Sequence, residues 1–82
     1  MTCTDAKEYL HIAKNAYELE AFTEALEILY KVAHWVAYDD EMTESIRQEI
    51  INETKSQLSR FQFCPDEACW EESCGIYDLF RD

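Results

Sequence analysis

One glycine and one proline in 82 residues leave this chain almost no ordinary means of breaking a helix. Those two residue types are the strongest local punctuators of backbone structure, so helices joined by short polar turns are the expected outcome. Apolar residues make up 48% of the chain, with five tyrosines, four phenylalanines and two tryptophans. That content suffices for a core and separates the chain from acidic disordered segments, which are poor in aromatics. At this length one domain is expected, near the small end of what folds unaided.

The apolar residues recur at helical steps. Ala6, Tyr9, Leu10, Ala13, Ala16 and Tyr17 form one stripe, which predicts a first helix over about 5–20 with Asp5 and Glu8 as its capping box. Thr23 is the expected N-cap of a second helix over 24–37. There Ala25, Leu26, Ile28, Leu29, Val32, Ala33, Val36 and Ala37 cover most of the circumference, the pattern of a central, buried helix. Tyr30 and Trp35 fall at its margins. A third helix starts at Asp40 or Thr43 and runs to about Arg60. Its stripe is Met42, Ile46, Ile50, Thr54, Leu58 and Phe61, and Glu44, Arg47, Gln48, Glu49, Glu53, Lys55, Gln57 and Ser59 form its solvated side.

The expected fold is therefore all-α: a small antiparallel three-helix bundle over residues 1–63, with an acidic, cysteine-containing C-terminal helix and tail over 64–82 docked on it. In that tail Pro65 suits the first helical position and Gly75 the residue just past the helix end.

Eighteen Asp and Glu against seven Lys and Arg give a net charge of −11. Such a surface repels polyanions and attracts cationic ones. Direct nucleic-acid binding is disfavoured, because phosphate contacts need clustered Lys and Arg. No apolar run is long enough for a transmembrane helix. The first eight residues lack the basic and apolar regions of a signal peptide. A reducing, cytoplasmic setting is the expectation, with the four cysteines as free thiols.

Cys64, Cys69 and Cys74 stand five residues apart and Cys3 stands alone. Five helical residues advance ~7.5 Å and turn ~140° net, so neighbouring thiols diverge. That geometry does not converge on a tetrahedral metal, and neither His11 nor His34 has ligand spacing to these cysteines. No cofactor or metal is expected. Cys64, at a helix N-terminus, is the best candidate for a reactive thiol; the others suit small buried hydrophobes. No Ser, His and Asp arrangement suggests a triad, the carboxylates show no isolated buried pair for acid/base work, and so small a bundle leaves little room for a substrate pocket. A non-enzymatic protein is expected.

Two partial resemblances add to this reading. Residues 6–37, through Ala13, Tyr17, Phe22, Ala25 and Ala33, resemble one tetratricopeptide hairpin, which implies a helical interaction module. The step from Tyr17 to Ala25 is one residue short, Leu29 replaces an aromatic, and one copy stands where about three are needed. The tail, with Cys64 and Cys74 before Gly75-Ile76-Tyr77-Asp78, is similar to the end of the small redox regulator that links two Calvin-cycle enzymes, which implies a thiol switch. Here the spacing is one residue longer, Cys69 intervenes, and that family's Ala-Trp-Asp segment is missing.

The leading functional expectation is a protein that binds another protein with a basic surface, as an inhibitor or nucleic-acid mimic. Small phage-encoded counter-defence proteins share this size and charge. The candidate contact residues are Asp66, Glu67, Trp70, Glu71 and Glu72 on the tail, then Glu18, Glu20, Glu24 and Glu27 around the first hairpin. Asp39, Asp40, Glu41 and Glu44 at the second turn extend the acidic surface. A helical adaptor anchored by Trp35, Trp70 or Tyr30, and a thiol-switched regulator acting through the tail, are the alternatives.

Overall fold

The computed structural model describes residues 2–63 and 67–80. Four α-helices follow in order: α1 (Cys3–Glu18), α2 (Phe22–Tyr38), α3 (Glu44–Ser59) and α4 (Glu67–Tyr77). Short 3-10 turns over Arg60–Phe63 and Asp78–Phe80 follow α3 and α4. Helix takes up 88% of the described residues and none lies in a strand; α1–α3 pack on one another and α4 docks on them. The all-α expectation holds.

Helix α1 begins at Cys3, two residues before the predicted start. Thr2 is the N-cap: its hydroxyl accepts from the Asp5 N–H and the Asp5 carboxylate accepts from the Thr2 N–H, both at 3.2 Å. The box is thus Thr2 with Asp5, not Asp5 with Glu8, because a hydroxyl three residues upstream of an acid satisfies both orphan donors at once. Helix α2 also starts early. Its N-cap is Ala21, which has no capping side chain, and Thr23 lies inside the helix. The cap that propensity favours is displaced because α1 ends in a tight turn that already fixes residues 19–21.

The central role of α2 is as expected. Ala25, Leu26, Leu29, Val32, Ala33 and Val36 are all buried, with Ala6, Leu10, Ala13 and Ala16 of α1 in the same cluster. From α3 come Ile50 and Leu58, and from the turn after it Phe61. Tyr17, Phe22 and Phe61 meet edge-on in a triangle, with ring centroids 5.0–6.2 Å apart. The Tyr17 hydroxyl also donates to the Arg60 carbonyl at 3.0 Å. One aromatic group thereby ties the first hairpin to the end of α3.

Asp39 and Asp40 leave α2 with no base in its last turn, and its final carbonyls need donors. Arg47 of α3 supplies them, donating from Nη1 to the Val36 carbonyl and from Nη2 to the Asp39 carbonyl. Thr43 caps α3, its hydroxyl accepting from Ile46 N–H at 3.4 Å, and Asp39 instead accepts from Glu41 N–H within the turn.

Three residues assigned to the solvated side of α3 are not there. Gln57 is buried and donates to the Leu10 carbonyl of α1 at 2.9 Å and to Glu53 at 3.1 Å. Arg47 and Lys55 are half-buried, and the Lys55 ammonium lies 5.6 Å from the Tyr77 ring centre and 5.9 Å from that of Phe80. The cause is that α3 has neighbours on two sides, α1 on one and the C-terminal segment on the other. Ile76 is buried and Leu79 and Phe80 are half-buried against the core, so the apolar end of the chain folds back as expected. Gly75 corrects its assignment: it lies inside α4, which runs on to Tyr77, with no positive φ. Pro65 lies outside the described residues.

Candidate functional site

The first hairpin carries one of the acidic groups. Glu18 closes α1, Glu20 sits in the turn, and Glu24 and Glu27 lie three residues apart on the first turns of α2. All four are exposed. Among the described residues none of them makes an ion pair or a side-chain hydrogen bond. The turn closes α1 by two backbone bonds, Ala21 N–H to Ala16 carbonyl at 2.8 Å and Glu20 N–H to Tyr17 carbonyl at 3.0 Å. This pairing needs a left-handed residue between them, normally glycine. Here Glu20 takes that conformation, at φ 64°.

A side-chain-bearing residue is disfavoured there by roughly 1–2 kcal/mol, while glycine loses about 0.5–1 kcal/mol more freedom on folding. Glu20→Gly is therefore expected to stabilise the protein by about 0.5–1 kcal/mol, read as a higher urea midpoint at unchanged slope. A lower midpoint would show that the Glu20 side chain itself supports the turn.

The tail group is brought together only in part. Glu67 and Glu71 stand one helical turn apart on α4 with Trp70 beside them, 43% exposed. Glu72 is ~100° further round the helix and faces the other flank. Asp66 lies outside the described residues. The buried side of α4 is supplied by Cys69, Ser73 and Ile76. Cys74, one position off that stripe, is exposed rather than buried, and Cys3 is half-buried. Both are free thiols, and Cys64, the expected reactive thiol, lies outside the described residues.

Two ion pairs are present among the described residues, Lys7–Glu49 at 3.5 Å and Arg47–Glu44 at 3.9 Å. The first crosses a cleft of about 600 Å³ between α1 and α3, lined by Lys7, His11 and Lys14 on one wall and Glu49, Glu53 and Gln57 on the other. A space of this size was not expected in so small a bundle. Long charged side chains of the facing sides of α1 and α3 line it. Its lining holds His11, two lysines and two glutamates but no hydroxyl or thiol. His11 is exposed, with Asn15 Nδ2 3.4 Å from its Nε2. No group of three or more His, Cys, Asp or Glu among the described residues is placed to hold a metal ion. No helix among them is long and apolar enough to cross a membrane.

The main feature that sequence reasoning missed is on α2. Tyr30, His34 and Tyr38 are exposed and form a continuous column, with ring centroids 5.9 Å and 4.7 Å apart. Their four-residue spacing was visible in the sequence, but an apolar-stripe search credits Tyr30 to the core margin and ignores histidine. Trp35, expected as an exposed anchor, is half-buried against the core instead. It sits on the flank of α2 where the start of α1 and Ile46 of α3 approach.

No family model, curated protein or solved structure matches this chain.

Proposed function

We propose that this chain acts by binding another protein through a basic surface, which it covers as an inhibitor or nucleic-acid mimic. The observation that carries this reading is the hairpin group: four exposed carboxylates at one end of the molecule, none of them in an ion pair. Surface acids with a structural role make ion pairs or caps or sit in a first helical turn; these make no ion pair or cap, and Glu24 alone of the four lies in a first turn. Unpaired negative charge on a rigid hairpin projects a field that draws in cationic partners and raises their association rate. The hairpin takes precedence over the tail, whose acids are divided between two flanks of α4. The role is non-catalytic, and the partner's own ligand is a polyanion.

The adaptor reading is favoured by a different observation, the exposed rings on α2, which are the residue types that dominate protein interfaces. The two readings make opposite demands on salt.

Affinity capture from an extract of the native source, eluted in parallel with graded salt and with duplex DNA, tests the proposal. A partner released by both is expected. Simultaneous replacement of Glu18, Glu20, Glu24 and Glu27 by Lys should abolish capture while the helical melting curve persists. Each single replacement should matter little, since an exposed pair is worth ~0–1 kcal/mol. Retention of the partner at ~1 M salt, where screening acts within about 3 Å, or undiminished capture by the four-fold variant, would favour the aromatic-anchored adaptor.

A further inference from the structure

The exposed column Tyr30–His34–Tyr38 is not required by the fold. The three rings rise one above another at four-residue steps along ~12 Å of α2, on the side turned away from Leu29, Val32 and Val36, which are buried. Tyr30 is 50% exposed and Tyr38 67%. Large apolar groups scattered singly over a surface need no explanation, but a contiguous row of them does. Contact along the row restrains each ring, so less freedom is lost when a partner stacks on it.

The surroundings of the column define its partner. Glu24 and Glu27 precede it on the same helix, and Asp40 and Glu41 follow it in the next turn; all four are exposed. Lys31 is the one base that α2 contributes. A row of π faces with carboxylates before and after it in the chain suits a side chain that is both cationic and planar. Guanidinium has that combination: it stacks on aromatic faces and pairs bidentately with carboxylate, whereas ammonium does so only as a point charge. A second copy of this chain fits badly, because each copy carries −11 and an antiparallel pairing centred on His34 would set Glu27 of one against Glu41 of the other.

We propose that the outer face of α2, centred on Tyr30, His34 and Tyr38, is the docking surface for an arginine-bearing segment of a partner protein. This rests on the reading that the chain binds a basic protein surface, and it names the contact and the preferred cation. Such a segment is common to proteins that bind single strands by combining basic backbone contacts with stacking. Arginines released from such a strand would find both carboxylate and ring here.

Titration of the intact protein with nona-arginine and nona-lysine peptides, equal in charge, tests this at physiological salt. The arginine peptide should bind about three- to ten-fold tighter, as expected for one or two stacked cations. Tyr30→Leu with Tyr38→Leu keeps apolar bulk but removes the rings, and should bring the two peptides to parity without altering the helical melt. Equal affinities in the parent protein, or a preference that survives the double substitution, would overturn the inference. If the four-fold Glu→Lys hairpin variant then still lost both peptides, the proposed function would stand without it. Failure of both peptides to bind the parent protein would remove both. Sedimentation that shows a dimer dispersed by the double substitution would also overturn the inference and assign this face to a second copy.

Discussion

Phe61→Ala is expected to cost about 3–5 kcal/mol, the usual loss for removing a buried aromatic ring. Phe61 is 1% exposed and is the largest fully buried side chain described. It stands 5.0 Å from Tyr17 and 6.2 Å from Phe22, edge-on to both, and such pairs contribute ~0.5–1.5 kcal/mol beyond the area they bury. Tyr17 is also held in place by its bond to the Arg60 carbonyl next door, so it cannot readily move into the space a smaller residue would leave. A domain of this length has a total stability of about 4–12 kcal/mol. The variant should therefore lose at least about a quarter of that stability, seen as a large fall in the urea midpoint. Phe61→Leu, which keeps most of the volume, should retain a cooperative transition. A loss below about 1 kcal/mol for Phe61→Ala would mean that Tyr17 and Phe22 close over the gap.

Arg47→Met should cost about 2–3 kcal/mol, although Arg47 occupies a position that reads as surface. Hydrogen bonds from a charged donor contribute ~1.5–3 kcal/mol each when they are sheltered from water. Arg47 makes two, to the Val36 and Asp39 carbonyls, with only 20% of its side chain exposed. Methionine keeps the methylene packing, so the loss isolates the guanidinium. Water can hydrate part of what is exposed, which places the expected cost toward one bond rather than two. Arg47→Lys should recover only a fraction, because an ammonium donates from a single nitrogen and lacks the planar fork that reaches the two carbonyls from separate nitrogens. The nearby Glu44 carboxylate, at 3.9 Å and largely exposed, should matter far less. Glu44→Gln is expected to change stability by under about 0.5 kcal/mol. Urea unfolding at low and high salt separates the two contacts: the Arg47 deficit should persist, since sheltered hydrogen bonds are little screened. A deficit that vanished in high salt would show that Arg47 acts through charge and not as a cap.

Much of the fold was legible because it depends on residue type at short range. The stripes of α1 and α2, the central burial of Leu26, Leu29, Val32, Ala33 and Val36, and the return of Ile76, Leu79 and Phe80 to the core follow from periodicity. Thr43 as a cap of α3 follows from a hydroxyl just ahead of a helical run. The site was legible only as composition. Every acid named on the first hairpin is exposed, but the division of the tail acids between two flanks needed the orientation of α4. The column of Tyr30, His34 and Tyr38 needed knowledge of which side of α2 stays uncovered.

Residue types and their spacing alone determined an all-helical, strongly acidic chain with α2 at its centre, because scarce breakers and 3.6-residue periodicity act locally. Tertiary structure decided the roles of the polar residues. Gln57, Arg47 and Lys55 read as a solvated face until α1, the end of α2 and the C-terminal turn close over them. Glu20 adopts a left-handed backbone because α1 and α2 must reverse direction with no glycine at hand. A polar side chain carries no local signal of which carbonyl or ring will reach it, since its partner, Leu10 for Gln57 or Tyr77 for Lys55, arrives from elsewhere in the chain. Packing sets those pairings, and only the folded molecule shows which acids and rings remain free to meet another protein.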